Sequence, residues 1–251
     1  MLTSQRKREI LDTLAHDGHL IAKALSERFA VSEDTIRRDL RELAAEGLLQ
    51  RVHGGALPSS PAVANLTLRE NLSSPAKERI ARAAAQLVAP GHTIIVDGGT
   101  TSIQLVRCLP KSLTATVVTH SPHVAVALAD HLDIEVILIG GRLFRHSMVT
   151  VGAAAIEALR HIRADMYFMG VTGVHLRAGL STGDLEEAYM KRALASQAAE
   201  TIVLASHEKI NAASRCKIGD LGLANSIVLE RESPPAFIDA LERLNITVVR
   251  S

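Results

Sequence analysis

The stretch Phe29-Ala-Val-Ser-Glu-Asp-Thr-Ile-Arg-Arg-Asp-Leu-Arg-Glu-Leu43 decides how the front of this chain folds. Ser32 is a candidate N-cap, because its hydroxyl can accept from a free amide at a helix start, and Thr35 adds a second short polar side chain there. Ile36, Leu40 and Leu43 follow at spacings of four and three. At about 3.6 residues per turn they share one face that must be buried. Arg37, Arg38 and Arg41 point away from it. Three guanidinium groups on the outer face of a short capped helix suit phosphate contacts and bidentate hydrogen bonds to guanine edges in a major groove.

Upstream, Leu20, Ile21, Ala24, Leu25 and Phe29 repeat at helical spacing and end before a short turn at Ala30-Val31. This predicts the first helix of a helix-turn-helix pair. An earlier helix, Ser4 to His16, presents Ile10, Leu11 and Leu14 as the third wall of a small core. Downstream, Gly47 can stop the arginine-bearing helix, and Gly54-Gly55 permit a tight reversal within the segment Gly47–Ala56. That is a winged-helix pattern, with Arg51 and His53 on the wing, near the DNA backbone or minor groove. Residues 1–56 carry nine Lys+Arg against nine Asp+Glu. Binding to DNA must therefore come from segregation of charge, with the cations gathered at Arg6-Lys7-Arg8, Arg37-Arg38-Arg41 and Arg51.

Residues 5–56 resemble the N-terminal domain of the DeoR family of bacterial transcriptional regulators. The matching residues are Gln5-Arg6, Ile10-Leu11, Val31-Ser32, Thr35-Ile36-Arg37-Arg38-Asp39-Leu40, Leu43, Gly47 and Arg51-Val-His-Gly-Gly-Ala56. One departure is Leu20-Ile-Ala-Lys-Ala-Leu25, which lacks acids in the first turn of its helix. The resemblance implies double-stranded operator DNA as partner, with Arg6, Ser32, Thr35, Arg37, Arg38, Arg41, Arg51 and His53 at the interface.

The chain has 251 residues, a net charge of +1, 47% hydrophobic residues and 2% aromatic ones. This length exceeds one small helical module, and the core must be built from Ala, Val, Ile and Leu. So few rings exclude a stacking platform for single-stranded nucleic acid. No run of eighteen apolar residues occurs, and no apolar leader opens the chain, so a cytoplasmic protein with no membrane partner is expected. Cys108 and Cys216 lack metal spacing and read as reduced thiols, and the eleven histidines form no ligand set; neither metal nor cofactor is expected.

Leu57-Pro-Ser-Ser-Pro-Ala62 breaks the periodicity. We divide the chain into a DNA-binding domain over 1–57, a linker over 58–75 and an effector-sensing domain over 76–251. Lys77 to Val88 is an amphipathic helix. After it, β-rich runs at Thr93–Val96, Thr116–Thr119, Glu135–Ile139, Met166–Met169, Thr201–Ala205 and Ser226–Leu229 alternate with helical ones at Thr101–Leu109, Pro122–His131, Val151–His161 and Asp184–Ala199. The alternation predicts an open parallel α/β sheet, whose ligands bind beyond the carboxyl ends of the strands.

Four segments there are rich in polar groups. Asp97-Gly98-Gly99-Thr100-Thr101-Ser102 ends a strand and opens a helix, which suits a phosphate cradle or a plain connection. Thr119-His120-Ser121-Pro122 and Gly140-Gly141-Arg142 are weaker. The cluster from Gly170 through Gly173 and Gly179–Thr182 to Glu187 and Lys191, followed by Lys209, suits sugar hydroxyls and phosphate, although Glu187 and Lys191 are also spaced as a helix-surface pair.

Residues 75–235 are similar to the DeoR-family sensor domain, which itself resembles sugar-phosphate isomerases such as ribose-5-phosphate isomerase. The resemblance implies a phosphorylated sugar or polyol effector. The matched positions are Asp97, Gly98, Gly99, Thr100, Thr101, Thr119, Ser121, Gly140, Gly141, Arg142, Gly152, Gly170, Gly173, Glu187, Lys191 and Lys209. Two positions depart from the family pattern: His120 stands in place of an Asn, and Ala205 in place of an acid. The expectation is a non-enzymatic repressor of a carbohydrate or polyol operon, acting as a homo-oligomer, dimer or tetramer. Two alternatives stay open. One is an isomerase-like enzyme with an appended DNA-binding head, using Glu187 as base and Lys209 as electrophilic partner. The other is an architectural DNA binder with a dead sensor.

Overall fold

The computed structural model describes residues 2–63, 66 and 74–251. Residues 64–65 and 67–73 of the expected linker lie outside the described residues.

The N-terminal unit comprises α1 (Thr3–Asp17), β1 (Leu20–Ile21), α2 (Ala22–Phe29), α3 (Glu33–Ala45), β2 (Gln50–Val52) and β3 (Gly55–Leu57). Its core gathers Ile10, Leu14, Leu25, Ile36, Leu40 and Leu43 from the three helices. Ser32 caps α3: its Oγ accepts from the Thr35 amide at 3.2 Å and lies 2.9 Å from Thr35 Oγ1. These two hydroxyls thus hold the helix start. Ser32→Ala should lower the melting stability of the unit by about 1 kcal/mol, and an unchanged unfolding curve would show that the cap is dispensable.

Two expectations about this unit are corrected. Leu20 and Ile21 form no part of a helix; they pair as a short strand with Ala56 and Gly55. The apolar spacing suggested helix, but one of the two is buried and the other exposed, as strand alternation requires. That pairing also explains Gly55, where an added Cβ would sit 1.7 Å from the Leu20 carbonyl oxygen; Gly54, with φ of +79°, makes the reversal itself. Arg6, in turn, points inward and is not on the exposed surface. It is 6% exposed, with Nε 2.5 Å and Nη2 3.1 Å from the Asp39 carboxylate, so it ties α1 to α3 from inside. Lys7 adds a second tie to Glu42 at 2.7 Å.

The larger unit opens with α4 (Ser74–Ala85) and β4 (Thr93–Val96), then α5 (Thr100–Cys108), β5 (Ala115–Thr119), α6 (Pro122–Ala127) and β6 (Ile134–Leu138). A hairpin of β7 (Arg142–Phe144) and β8 (Val149–Val151) leads to α7 (Ala153–Leu159) and β9 (Ala164–Gly170). Next come β10 (Gly173–His175), β11 (Gly179–Thr182), α8 (Leu185–Ala195) and β12 (Ala198–Leu204). The chain closes with β13 (Cys216–Gly219), β14 (Ser226–Leu229), α9 (Pro235–Arg243) and β15 (Thr247–Arg250).

Seven strands form one sheet in the order β15-β14-β12-β9-β4-β5-β6, with every pairing parallel. Its strands are continuous apolar runs because helices cover both faces. One core joins Ile95, Tyr167 and Val203 to Leu194 of α8 and Leu241 of α9; the other joins Ile94, Val96 and Phe168 to Ile80 of α4 and Leu105 of α5. The chain winds outward from β4 through β5 and β6 to one edge, and from β9 through β12 and β14 to the other. The switch point therefore lies between β4 and β9, where a crevice opens beyond the strand ends.

Several element limits differ from the sequence reading. β15 supplies a seventh parallel strand, and β10, β11 and β13 form a separate antiparallel sheet. The last residues assigned to the Asp184–Ala199 helix belong instead to β12, and Val151 belongs to the β7–β8 hairpin. Among the described residues no helix is long and apolar enough to cross a membrane.

Candidate functional site

Asp97, at the carboxyl end of β4, is the knot of the switch point. Its Oδ1 accepts from the Gly98 amide at 2.8 Å and lies 2.8 Å from His120 Nε2. Its Oδ2 accepts from the Gly170 amide at 2.9 Å, the Tyr167 hydroxyl at 3.0 Å and Lys191 Nζ at 2.5 Å. One carboxylate thus pins the ends of β4 and β9 to α8 and to the loop after β5. Burial opposes its ionisation, but the charge of Lys191 and the hydrogen bond and charge of His120 overcome that, holding the carboxyl well below the usual range. Burial, then the charge of Asp97 and its hydrogen bond, raise the Tyr167 phenol well above its ordinary value, so it stays a donor. The second ring nitrogen of His120 lies 2.8 Å from the Thr150 carbonyl oxygen, which anchors the β7–β8 hairpin to the same knot.

Above the knot lies a cleft of about 530 Å³. Its floor is the turn from β4 into α5, where Gly99, with φ of +118°, occupies the N-cap position and no side chain caps the helix. Thr100, Thr101 and Ser102 therefore present a helix N-terminus with uncapped amides and three hydroxyls, which suits an anion. Lys191, Lys209, Lys77 and Arg215 bring positive charge to the lining, while Asp184, Glu187 and Glu208 bring carboxylates. Asp184 caps α8, accepting from the amides of Glu186 at 2.9 Å and Glu187 at 3.2 Å. Glu187 accepts from the Thr182 hydroxyl at 3.3 Å. A helix terminus and cations interspersed with carboxylates and hydroxyls form a lining suited to a phosphorylated polyhydroxy compound.

The N-terminal unit contributes to the same cleft. Ala44 and Gly47 at the end of α3, Leu49 and Gln50 leading into β2, and the connector residues Ser59, Ser60, Ala62 and Val63 all line it. The connector is tied down by a bridge between Ser59 and Ala213, and by His146 Nε2 lying 2.8 Å from the Val63 carbonyl oxygen.

The candidate effector residues divide. Gly98, Gly99, Thr100, Thr101, Gly170, Glu187, Lys191 and Lys209 line the cleft. Asp97 lies beneath it, supporting Lys191 rather than facing the opening. The others stand outside the lining, each for a visible reason. Thr119 donates its hydroxyl to the Val96 carbonyl at 2.7 Å, and the Ser121 hydroxyl turns to the Met148 carbonyl at 3.4 Å. Gly140 and Gly141 precede Arg142, which is exposed at the start of β7. Gly152 occupies the N-cap position of α7, and Gly173 packs against the Ala212 carbonyl.

Thr182, part of the polar cluster read from the sequence, lines the cleft as well, whereas Glu208, Asp184, Ser214 and Arg215 are site residues that spacing alone does not reveal. Glu208 is the most instructive. It brings a carboxylate into the cleft three positions after Ala205, where the expected acid is missing; the acid was in plain view but one short turn further on.

On the outer face of α3, Arg38 and Arg41 are exposed, as are Arg51 and His53 on the wing. Arg38, Arg41 and Arg51 have no ion-pair partner among the described residues. Arg37 differs, since it pairs with Glu33 at 2.8 Å and Asp34 at 3.3 Å and must release them to reach another anion.

A capped helix with exposed arginines, set in a winged helix-turn-helix and joined to an α/β unit with a polar cleft, defines a DNA-binding regulator with a sensor. Comparison with known proteins agrees. The DeoR-like helix-turn-helix domain matches residues 6–61, and the DeoR C terminal sensor domain matches residues 73–231. The HTH-type transcriptional regulator GlpR of Haloferax volcanii is 32% identical over 251 residues, covering 99% of this chain and 98% of that one. The glycerol-3-phosphate regulon repressor of Escherichia coli K12 is 30% identical over 242 residues, covering 96% of each. Among solved structures, ribose 5-phosphate isomerase A from Methanocaldococcus jannaschii aligns with a TM-score of 0.42 at 19% identity over 55% of each chain. The chain belongs to the DeoR family of transcriptional regulators.

Proposed function

We propose that this protein is a repressor of a carbohydrate or polyol operon, acting in the cytoplasm as a homo-oligomer and controlled by a phosphorylated sugar or polyol. The observation that carries this reading is the composite cleft, lined by the strand-end loops of the sensor, by the connector and by the end of α3. A ligand held there touches the elements that orient the DNA-reading helix, so it can favour one placement of that helix over another. The phosphate would rest on the first turn of α5 with Lys209 beside it, and the hydroxyls would meet Glu187 and Glu208. At the DNA, Arg38 and Arg41 would read the major groove, with Arg51 and His53 on the flank and Arg37 joining once it leaves Glu33. Two such helices reading successive half-sites call for at least a dimer. The name of the Escherichia coli relative, a glycerol-3-phosphate regulon repressor, likewise contains a phosphorylated polyol. The reading assigns no catalytic step.

Thermal unfolding against a panel of sugar and polyol phosphates tests it. One phosphate should raise stability, by about 2.7 kcal/mol at a hundredfold excess over its Kd, and Lys209→Ala or Thr100→Ala should abolish the shift. A flat panel would overturn the sensor assignment, and sustained isomerisation of a pentose or hexose phosphate, lost in Glu187→Gln, would overturn the non-enzymatic one.

A further inference from the structure

On the far side of Lys77 and Thr100 a second cleft, of about 690 Å³, opens between the start of α4, the outer face of α5, and α6 with the turn that follows it. Among the described residues, Arg107 and Lys111 bring two exposed cations to its lining and Asp130 one carboxylate, and Lys77 lines it as well. His123 and His131 add two imidazoles. His131 is the unusual member: it is 3% exposed, yet neither ring nitrogen has a hydrogen-bond partner among the described residues. The Pro110 carbonyl lies near enough to favour its charged form but outside hydrogen-bond geometry. A buried polar ring left without a bond costs free energy, so His131, lining a cleft with Arg107 and Lys111, calls for a partner from solvent or from a ligand. Burial, and then the charge of Lys111, push the His131 imidazole below its ordinary value. An anion seated beside Lys111 would reverse the second effect and give the ring an acceptor.

We propose that this cleft is a second anion site, for a small phosphate compound carrying at least two negative charges, separate from the effector cleft and sharing Lys77 and Thr100 with it. Excess positive charge sets the sign of the ligand. The described lining holds no aromatic ring but His123 and His131, so there is no broad face for a nucleobase, and its apolar residues are few: Ile103, Val126 and Ala127. Because Lys77 stands in both walls, at the start of the helix that follows the connector, occupancy of one cleft bears on the other.

Inorganic pyrophosphate is the probe. Titrated calorimetrically into the full chain, it should bind, and the Arg107→Ala, Lys111→Ala double variant should weaken that binding roughly 10- to 100-fold. Both side chains are exposed, so the fold should stand. Lys209→Ala should leave pyrophosphate binding here intact while removing the response to sugar phosphates, which separates this site from the effector reading. In nitrogen-15 spectra of the histidine rings, pyrophosphate should shift the His131 signals in wild type and not in the double variant. Absence of pyrophosphate binding, binding unchanged in the double variant, or binding lost only with Lys209 would each overturn the proposal.

Discussion

An Arg38→Ala, Arg41→Ala double variant should lose most of its affinity for DNA that the wild-type protein selects from a random pool, while its unfolding curve stays in place. Both residues lie exposed on the outer face of α3 without ion pairs among the described residues, so their removal disturbs no internal contact. A bidentate arginine–guanine contact contributes about 1–3 kcal/mol, and two together about 2–6 kcal/mol. Fluorescence anisotropy at fixed salt would measure the loss. If the arginines meet phosphate rather than base edges, the loss is uniform across sequences and the slope of log K against log salt falls by about two. Undiminished affinity with an unchanged slope would remove α3 from the interface.

Asp97→Asn should have the largest effect on stability. The substitution keeps the size of the side chain but strips the charge that faces a buried Lys191 ammonium and leaves an amide where five donors converged. Removing one partner of a buried ion pair typically costs about 3–5 kcal/mol. The pH dependence gives an independent reading. A carboxyl held low in the folded state contributes its full stability above the unfolded value, about pH 4, and loses it as pH falls further. Wild-type stability should therefore drop below about pH 4 more steeply than that of the Asn variant, so that the two curves converge in acid. Parallel curves would mean that Lys191 and His120 do not depend on this carboxylate.

Much of this molecule was legible in the sequence because local rules and tertiary demands agree. Ser32, Ile36, Leu40 and Leu43 fixed α3, and the apolar runs fixed six of the seven parallel strands, since both faces of such a sheet are buried. The misreadings fall where long-range pairing overrides spacing. Leu20 and Ile21 pair with a wing thirty-odd residues away, and Arg6 finds Asp39 across the α1–α3 seam. Thr119 and Ser121 were sound as strand-end residues, but their hydroxyls are consumed by backbone carbonyls, which no spacing reveals. His120 and Ala205 were recognisable as departures from the family. Their setting was not: His120 joins the Asp97 knot, and Glu208 carries the acid that Ala205 lacks into the cleft.

The cleft floor belongs to one unit of this chain and part of its wall to the other. A ligand bound there cannot act on the DNA-reading helix in one direction only. Whatever factor the metabolite takes from operator affinity, the operator must take from metabolite affinity. A metabolite that weakens operator binding would thus find protein on its operator a less sensitive detector than protein free in solution. Under the proposed function, the concentration of metabolite needed for release is then set jointly by the pocket and by the quality of the DNA site, so promoters under the same regulator would respond at different metabolite levels without any change in the protein.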